Sequence, residues 1–222
     1  MDQQVHEGQA TYNPFTLALY DLFVLGLSCR YVWGCRKSHL VGMFRRGMGG
    51  RHLDVGVGTG YLPARGAGPD TTHVTLFDAN RHSLHASSQR LKHLQPTTVE
   101  GNALEPLPFA DAAFDSASAN FLFHCMPGTL AEKGVLLQEL GRVVRPGGTV
   151  FGATILASGV TVTGRARRLM GLYNSKGVFH NSADTLEDLE AGLGGAFKEH
   201  TVTVHGCVAL FEATVGTAEP EL

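Results

Sequence analysis

The amino-acid sequence predicts an α/β protein built on a mostly parallel seven-stranded sheet, with helices on both faces, a C-terminal antiparallel hairpin and an N-terminal helical cap. Three observations carry this prediction. From residue 51 onward, short apolar runs alternate with stretches of helical period, the signature of strand–helix–strand units and a parallel sheet. The first run, "RHLDVGV", passes straight into the glycines of "GVGTG", as a strand does when it turns sharply at a sheet edge. The last two runs, "FKEHTVTVHG" and "CVALFEATVG", adjoin with no room for a crossover helix, so they pair as a hairpin.

The elements follow in order. Residues 1–48 form the cap: Leu17, Tyr20, Leu22, Phe23, Leu25 and Tyr31 recur at roughly helical spacing, giving one or two helices that complete the core or cover a cleft. The α/β unit spans 49–217, and 218–222 is a tail. After the first strand, "GYLPARGAG" starts a helix that Pro63 breaks early and Gly66 and Gly68 close. "HVTLFDA" is the second strand, and "NRHSLHASSQRLKHL" a helix with Asn80 as N-cap. "TTVEGNA" and "AFDSASANFLF" are strands three and four. "TLAEKGVLLQELGRVVRPGG" is one amphipathic helix stopped by Pro146 and two glycines, and "GTVFGATIL" is the fifth strand. Residues 162–194 are helical with a break at "YNSKG". Right-handed crossovers gather the strand C-termini at one edge, where open α/β sheets bind ligands.

Composition narrows the function. With 222 residues, 43% hydrophobic and 17% charged, the chain has enough apolar surface for a core of its own. A net charge of −2 and a pI near 6.6 lack the basic face of a nucleic-acid binder. The clusters "MFRRGMGGR" and "GRARR" read as solvated helix faces or helix ends. Four cysteines without a CxxC pair suggest a reduced, cytoplasmic protein. Eleven histidines without an HxxxH or HExxH pair suggest no metal site. The apolar stretch Pro14 to Cys35 is interrupted by Asp21 and Arg30, short of the roughly 18 uncharged residues of a span, and it lacks the marks of a signal peptide. The expected partner is a small molecule, and the expected state a monomer or homodimer.

A strand running into Gly56, Gly58 and Gly60 lets a ligand lie on bare backbone, although a tight turn needs such glycines too. Asp78 ends the second strand at the distance where a carboxylate accepts both ribose hydroxyls. Together they favour a nucleoside-bearing cofactor. Tyr61 stands where a dinucleotide fingerprint has its third glycine, which disfavours a pyrophosphate.

"LDVGVGTG", "LFDAN", "EGNALEPLPFADAAFDSASANFLFH" and "LQELGRVVRPGGTVFGATIL" resemble, in order and spacing, the motifs of class I S-adenosylmethionine-dependent methyltransferases over about residues 51–157. The resemblance implies a Rossmann-like sheet with an antiparallel seventh strand, and S-adenosyl-L-methionine as cofactor, with S-adenosyl-L-homocysteine as product. It implies that the backbone at Gly56, Gly58 and Gly60 approaches the methionine part, with Asp54 near its amino group. Asp78 would hold the ribose hydroxyls, with Ala79 and Asn80 beside the adenosine. Asn102 would accept from the adenine amino group and the Ala103 N–H would donate to the ring. The family usually has Asp where this chain has Asn102, and an amide oxygen still accepts that bond. Asn120 and Phe121 belong to the stretch Ala119 to Phe123 that would pass under the sulfonium. Tyr12 would cover the methionine carboxylate, or serve as a core residue.

Methyl transfer from a sulfonium is an in-line displacement to an O, N or C nucleophile, in which positioning contributes most. His124 follows the fourth strand at the ligand edge and is the candidate general base; a structural hydrogen bond is its alternative. The sequence gives no position for His39, His180 or Trp33. Where relatives acting on flipped bases carry Asn-Pro-Pro-Tyr, this chain has "SANF". A small, partly apolar metabolite is therefore the expected acceptor: an aromatic or polyketide-like compound of secondary metabolism suits the apolar cap, and a quinone or lipid head group fits as well. Three other readings are an enzyme of this fold diverted to a non-methylating reaction such as cyclisation, an NAD-dependent oxidoreductase, and a non-catalytic binding or scaffold subunit, against which the retained glycines and Asp78 count.

Overall fold

The computed structural model describes residues 28–216. Tyr12 and the cap before residue 28 lie outside the described residues. Seven strands form one sheet: β1 (Arg51–Val55), β2 (His73–Asp78), β3 (Thr97–Glu100), β4 (Phe114–Asn120), β5 (Val144–Ile155), β6 (Glu199–His205) and β7 (Val208–Thr214). Their spatial order is β3-β2-β1-β4-β5-β7-β6. All pairs from β3 to β5 are parallel, and β7 runs antiparallel to both β5 and β6. The chain builds outward from β1 through β2 to β3 and then crosses to β4 on the other side. The β1/β4 boundary is thus the topological switch point, where strand C-termini open a crevice.

The helices are α1 (Cys29–Tyr31), α2 (Lys37–Gly47), α3 (Tyr61–Gly66), α4 (Arg81–Arg90), α5 (Leu130–Lys133), α6 (Val135–Val143), α7 (Gly164–Ser175) and α8 (Leu186–Ala196). Alternation along β1 assigns its side chains to two layers. Leu53 and Val55 pack with Leu136, Leu137 and Leu140 of α6 and Leu193 of α8. His52 faces the other layer, stacked 5.6 Å from Phe151, while Phe44 of α2 meets Phe151 edge-on at 5.0 Å. Strands covered on both faces are apolar throughout, which makes His52, Asp54, Ser116 and Ser118, all buried, stand out.

Several boundaries differ from the sequence expectation. Pro63 lies inside α3 without breaking it, because a first-turn residue has no intrahelical acceptor for its N–H anyway. The predicted helix over 129–148 is two helices meeting at Gly134, the first opened by a Thr129–Glu132 capping box. The second ends at Val143, and Pro146 with its glycines lies in β5, where the register to β4 shifts between Phe114 and Ser116. The break between α7 and α8 runs from 176 to 185, longer than "YNSKG". Asn80 does cap α4, its side chain accepting from the His82 N–H at 2.8 Å. Among the described residues no helix is long and apolar enough to cross a membrane.

Candidate active site

A cleft opens at the β1/β4 switch point. Its walls include Asp54, Gly56, Gly58, Asp78, Ala79, Asn80, Asn102, Ala103, Asn120 and Phe121, so the tertiary structure gathers ten of the expected site residues from four strand ends. Gly58 has φ +51°, and a Cβ built there would meet nothing within 4 Å; its backbone is bare toward the cleft. Gly60 has a different reason for being glycine. It is not part of the cleft wall, and a Cβ there would stand 2.9 Å from the Cα of Ser87. The third glycine thus lets α4 pack against the loop.

Asp78 at the end of β2 accepts from the Asn80 N–H at 2.8 Å. Burial pushes it up to about 6, against the downward pull of backbone N–H donors on Asn80, Val57, Gly58 and Ala79. The carboxylate therefore faces backbone N–H groups of the glycine loop as well as the cleft. In Asn102 the side-chain oxygen accepts from the Leu104 N–H at 3.0 Å and the amide nitrogen donates to Glu105 at 3.1 Å. One oxygen lone pair is left for a ligand.

Asp54 is the end of a buried polar chain. The Gly49 N–H donates to Ser116 Oγ at 2.7 Å, which lies 2.8 Å from His52 Nδ1. His52 Nε2 lies 3.1 Å from Ser118 Oγ, and Ser118 donates to Asp54 Oδ1 at 2.5 Å. Strand register produces the chain, since His52 pairs with Ser116 and Asp54 with Ser118 across β1 and β4. Burial pushes His52 down to about 3, so the imidazole is neutral and each donor has one acceptor along a single direction. Burial pushes Asp54 up to about 7, with the Ser118 hydroxyl pulling down and the Asp78 charge pushing up.

Of the four buried side-chain atoms without a partner among the described residues, three are Asn80 Nδ2 and both amide atoms of Asn120. An unpaired buried polar atom costs about 1–3 kcal/mol, and such groups concentrate where a ligand completes them. The next residue, Phe121, has φ +53°, unusual for a bulky side chain and typical of functional sites. Its N–H donates to the Ala153 carbonyl at 2.7 Å, which holds the bend.

His124, the candidate base of the sequence, stands apart from the cleft. It is buried and absent from the cleft wall. Its Nδ1 accepts from the Ile155 N–H at 3.4 Å, and its ring packs 4.5 Å from Phe179. Burial pushes it down to about 3, which makes the ring a weak proton acceptor. Asp115 lies outside the cleft too, holding the Arg51 N–H at 2.8 Å and Arg145 at 2.7 Å. Sequence reasoning missed Tyr61, Leu62, Val178 and His180 as wall residues. Tyr61 carries three cations against its ring, Lys37, Arg65 and Arg90, at 4.8 to 5.7 Å. The strand-then-glycine pattern signals Tyr61 in retrospect, whereas no local signal marks Val178 or His180.

A seven-stranded sheet with one reversed strand, a glycine turn at the switch point and a carboxylate ending β2 define an α/β protein of the class whose crevice suits a nucleoside cofactor. Residues 53–152 match the family model of a methyltransferase domain. The chain is 42% identical over 214 residues to demethylluteothin O-methyltransferase of Streptomyces thioluteus, covering 96% of this chain and 93% of that one. It is 36% identical over 210 residues to the physcion biosynthesis cluster O-methyltransferase of Aspergillus chevalieri, covering 93% and 94%. The chain belongs to the S-adenosylmethionine-dependent methyltransferase family. A phosphoethanolamine N-methyltransferase of Haemonchus contortus in complex with S-adenosyl-L-methionine shares the fold, with TM-score 0.71 at 14% identity, covering 96% of this chain and 60% of that one. Neither an oxidoreductase nor a non-methylating enzyme is favoured by these relatives.

Proposed function

We propose that this chain transfers the methyl group of S-adenosyl-L-methionine to a hydroxyl of a small, partly apolar metabolite. The observation that carries the proposal is the doubly unpartnered Asn120 amide beside an apolar wall of Phe44, Leu62, Phe121, Met126 and Val178. A polar anchor set in an apolar cleft suits a hydroxylated ring compound. The names of the Streptomyces and Aspergillus relatives support oxygen as the atom methylated.

The residues fit the cofactor. Asp78 would take the ribose hydroxyls, Asn102 and Ala103 the adenine edge, Asp54 the methionine ammonium and the bare backbone at Gly58 the chain between them. When bound, the cofactor supplies a methyl group on a sulfonium with a good neutral leaving group. The protein's contribution is to align the acceptor oxygen and exclude water. Asn120 orients one side of the acceptor or cofactor, and Phe121, fixed at a strained φ, closes the floor.

Titration with S-adenosylhomocysteine and with NADH, followed by incubation of methyl-labelled cofactor with demethylluteothin and a panel of phenols, tests the proposal. Micromolar binding of S-adenosylhomocysteine and a labelled ether are expected; binding of NADH alone, or product without label, overturns it.

A further inference from the structure

His180 sits on the 176–185 loop between α7 and α8 and lines the cleft together with Gly177 and Val178. Both of its peptide groups are held. Its N–H donates to the His124 carbonyl at 2.7 Å, and its carbonyl accepts from Lys133 Nζ at 2.9 Å. Lys133 is fully buried and donates to both carboxylate oxygens of Asp184, at 3.0 and 2.9 Å. Asp184 is anchored in turn, its carbonyl accepting from the Ala157 N–H at 2.9 Å. Asn181 ties the same loop to the end of β5 by donating to the Ile155 carbonyl at 2.9 Å. Between them, Phe179 is buried against His124, Tyr173 and Trp33.

A buried ion pair is weak as a source of stability, because desolvation consumes most of its attraction. What this pair contributes is direction, since the ammonium's remaining donor reaches one loop carbonyl, that of His180. The imidazole of His180 is only half-buried and makes no hydrogen bond among the described residues. Cys125 also lines the cleft, but burial pushes its thiol up to about 12, so it accepts no proton near neutrality.

We propose that His180 is the general base of the reaction and that the Lys133–Asp184 pair positions it. The inference rests on the O-methyl reading above. His180 takes the acceptor's hydroxyl proton while the oxygen's electron pair forms the bond to the methyl carbon and the carbon–sulfur pair departs on sulfur. The imidazolium then returns the proton to water.

A crystal structure of the full chain with S-adenosylhomocysteine tests the placement without any acceptor. Near-attack geometry puts an imidazole nitrogen of His180 within about 8 Å of the thioether sulfur, with open space between. A nitrogen beyond about 10 Å, or a ring turned to solvent, overturns the inference. If S-adenosylhomocysteine does not bind at all, the cofactor reading falls first and this one with it. In turnover, His180→Gln lowers kcat by about 100-fold while acceptor KM and S-adenosylhomocysteine Kd stay within about threefold. Asp184→Asn lowers kcat with the same preserved KM. Undiminished His180→Gln turnover beside an active wild type overturns the inference alone, leaving the O-methyl reading intact.

Discussion

Ser118→Ala probes the buried chain that ends on Asp54. Ser118 is fully buried, with His52 Nε2 at 3.1 Å and Asp54 Oδ1 at 2.5 Å. Removing its hydroxyl leaves an imidazole N–H and a carboxylate oxygen without partners, each costing about 1–3 kcal/mol. The expected loss of stability is about 2–6 kcal/mol, read as a lower urea midpoint at unchanged m. Asp54 also loses the donor that pulls it down from its burial-raised value, so its neutral form gains at neutral pH. A neutral carboxyl forfeits a charge-assisted bond to the methionine ammonium, and S-adenosylhomocysteine should bind about 10- to 100-fold more weakly by calorimetry. Ser116→Ala, at the far end of the chain, should cost stability but change that affinity by no more than about threefold. Equal affinities for wild type and Ser118→Ala would refute the role given to the chain in setting Asp54.

Three further outcomes are expected. Asp78→Ala should weaken S-adenosylhomocysteine binding by about 1–3 kcal/mol, and because the carboxylate accepts the Asn80 N–H and faces backbone N–H groups of the glycine loop, proteolysis at that loop should quicken. Unchanged cleavage would remove its structural role. Lys133→Met leaves Asp184 buried and unpaired, and should lower stability by about 3–5 kcal/mol; Lys133→Met with Asp184→Leu should recover most of the loss. If single and double variants unfold alike, the pair is not the buried contact described. Burial pushes His52 and His124 down to about 3, so the unfolded chain binds protons that the folded one refuses. Their contribution is fully present above about pH 6.5 and lost as pH falls toward 3. His124→Gln should make stability fall by about one proton less steeply between pH 6 and 4, and an unchanged slope counts against its burial as a neutral ring.

The glycine turn, the carboxylate ending β2 and the Asn80 cap were legible because each depends on neighbours within a few residues. The helix over 129–148 was misread for the same reason. Its apolar period continues through Gly134, where the structure divides it into two helices, and Lys133 just before that junction pairs with Asp184 some fifty positions away. His124 was assigned to the site from its position after β4 alone. The following turn (Phe123–Cys125) carries it inward, among Phe121, Phe179 and the end of β5.

The sequence by itself determined the alternation of elements, the reversed last strand and the glycine-lined end of the cleft, because strand period, glycine turns and a short hairpin link are local constraints on the backbone. Only the tertiary structure decided which histidine lines the cleft. That choice depends on strand register and on a buried ion pair between α5 and the loop before α8, contacts between distant positions that no local pattern encodes.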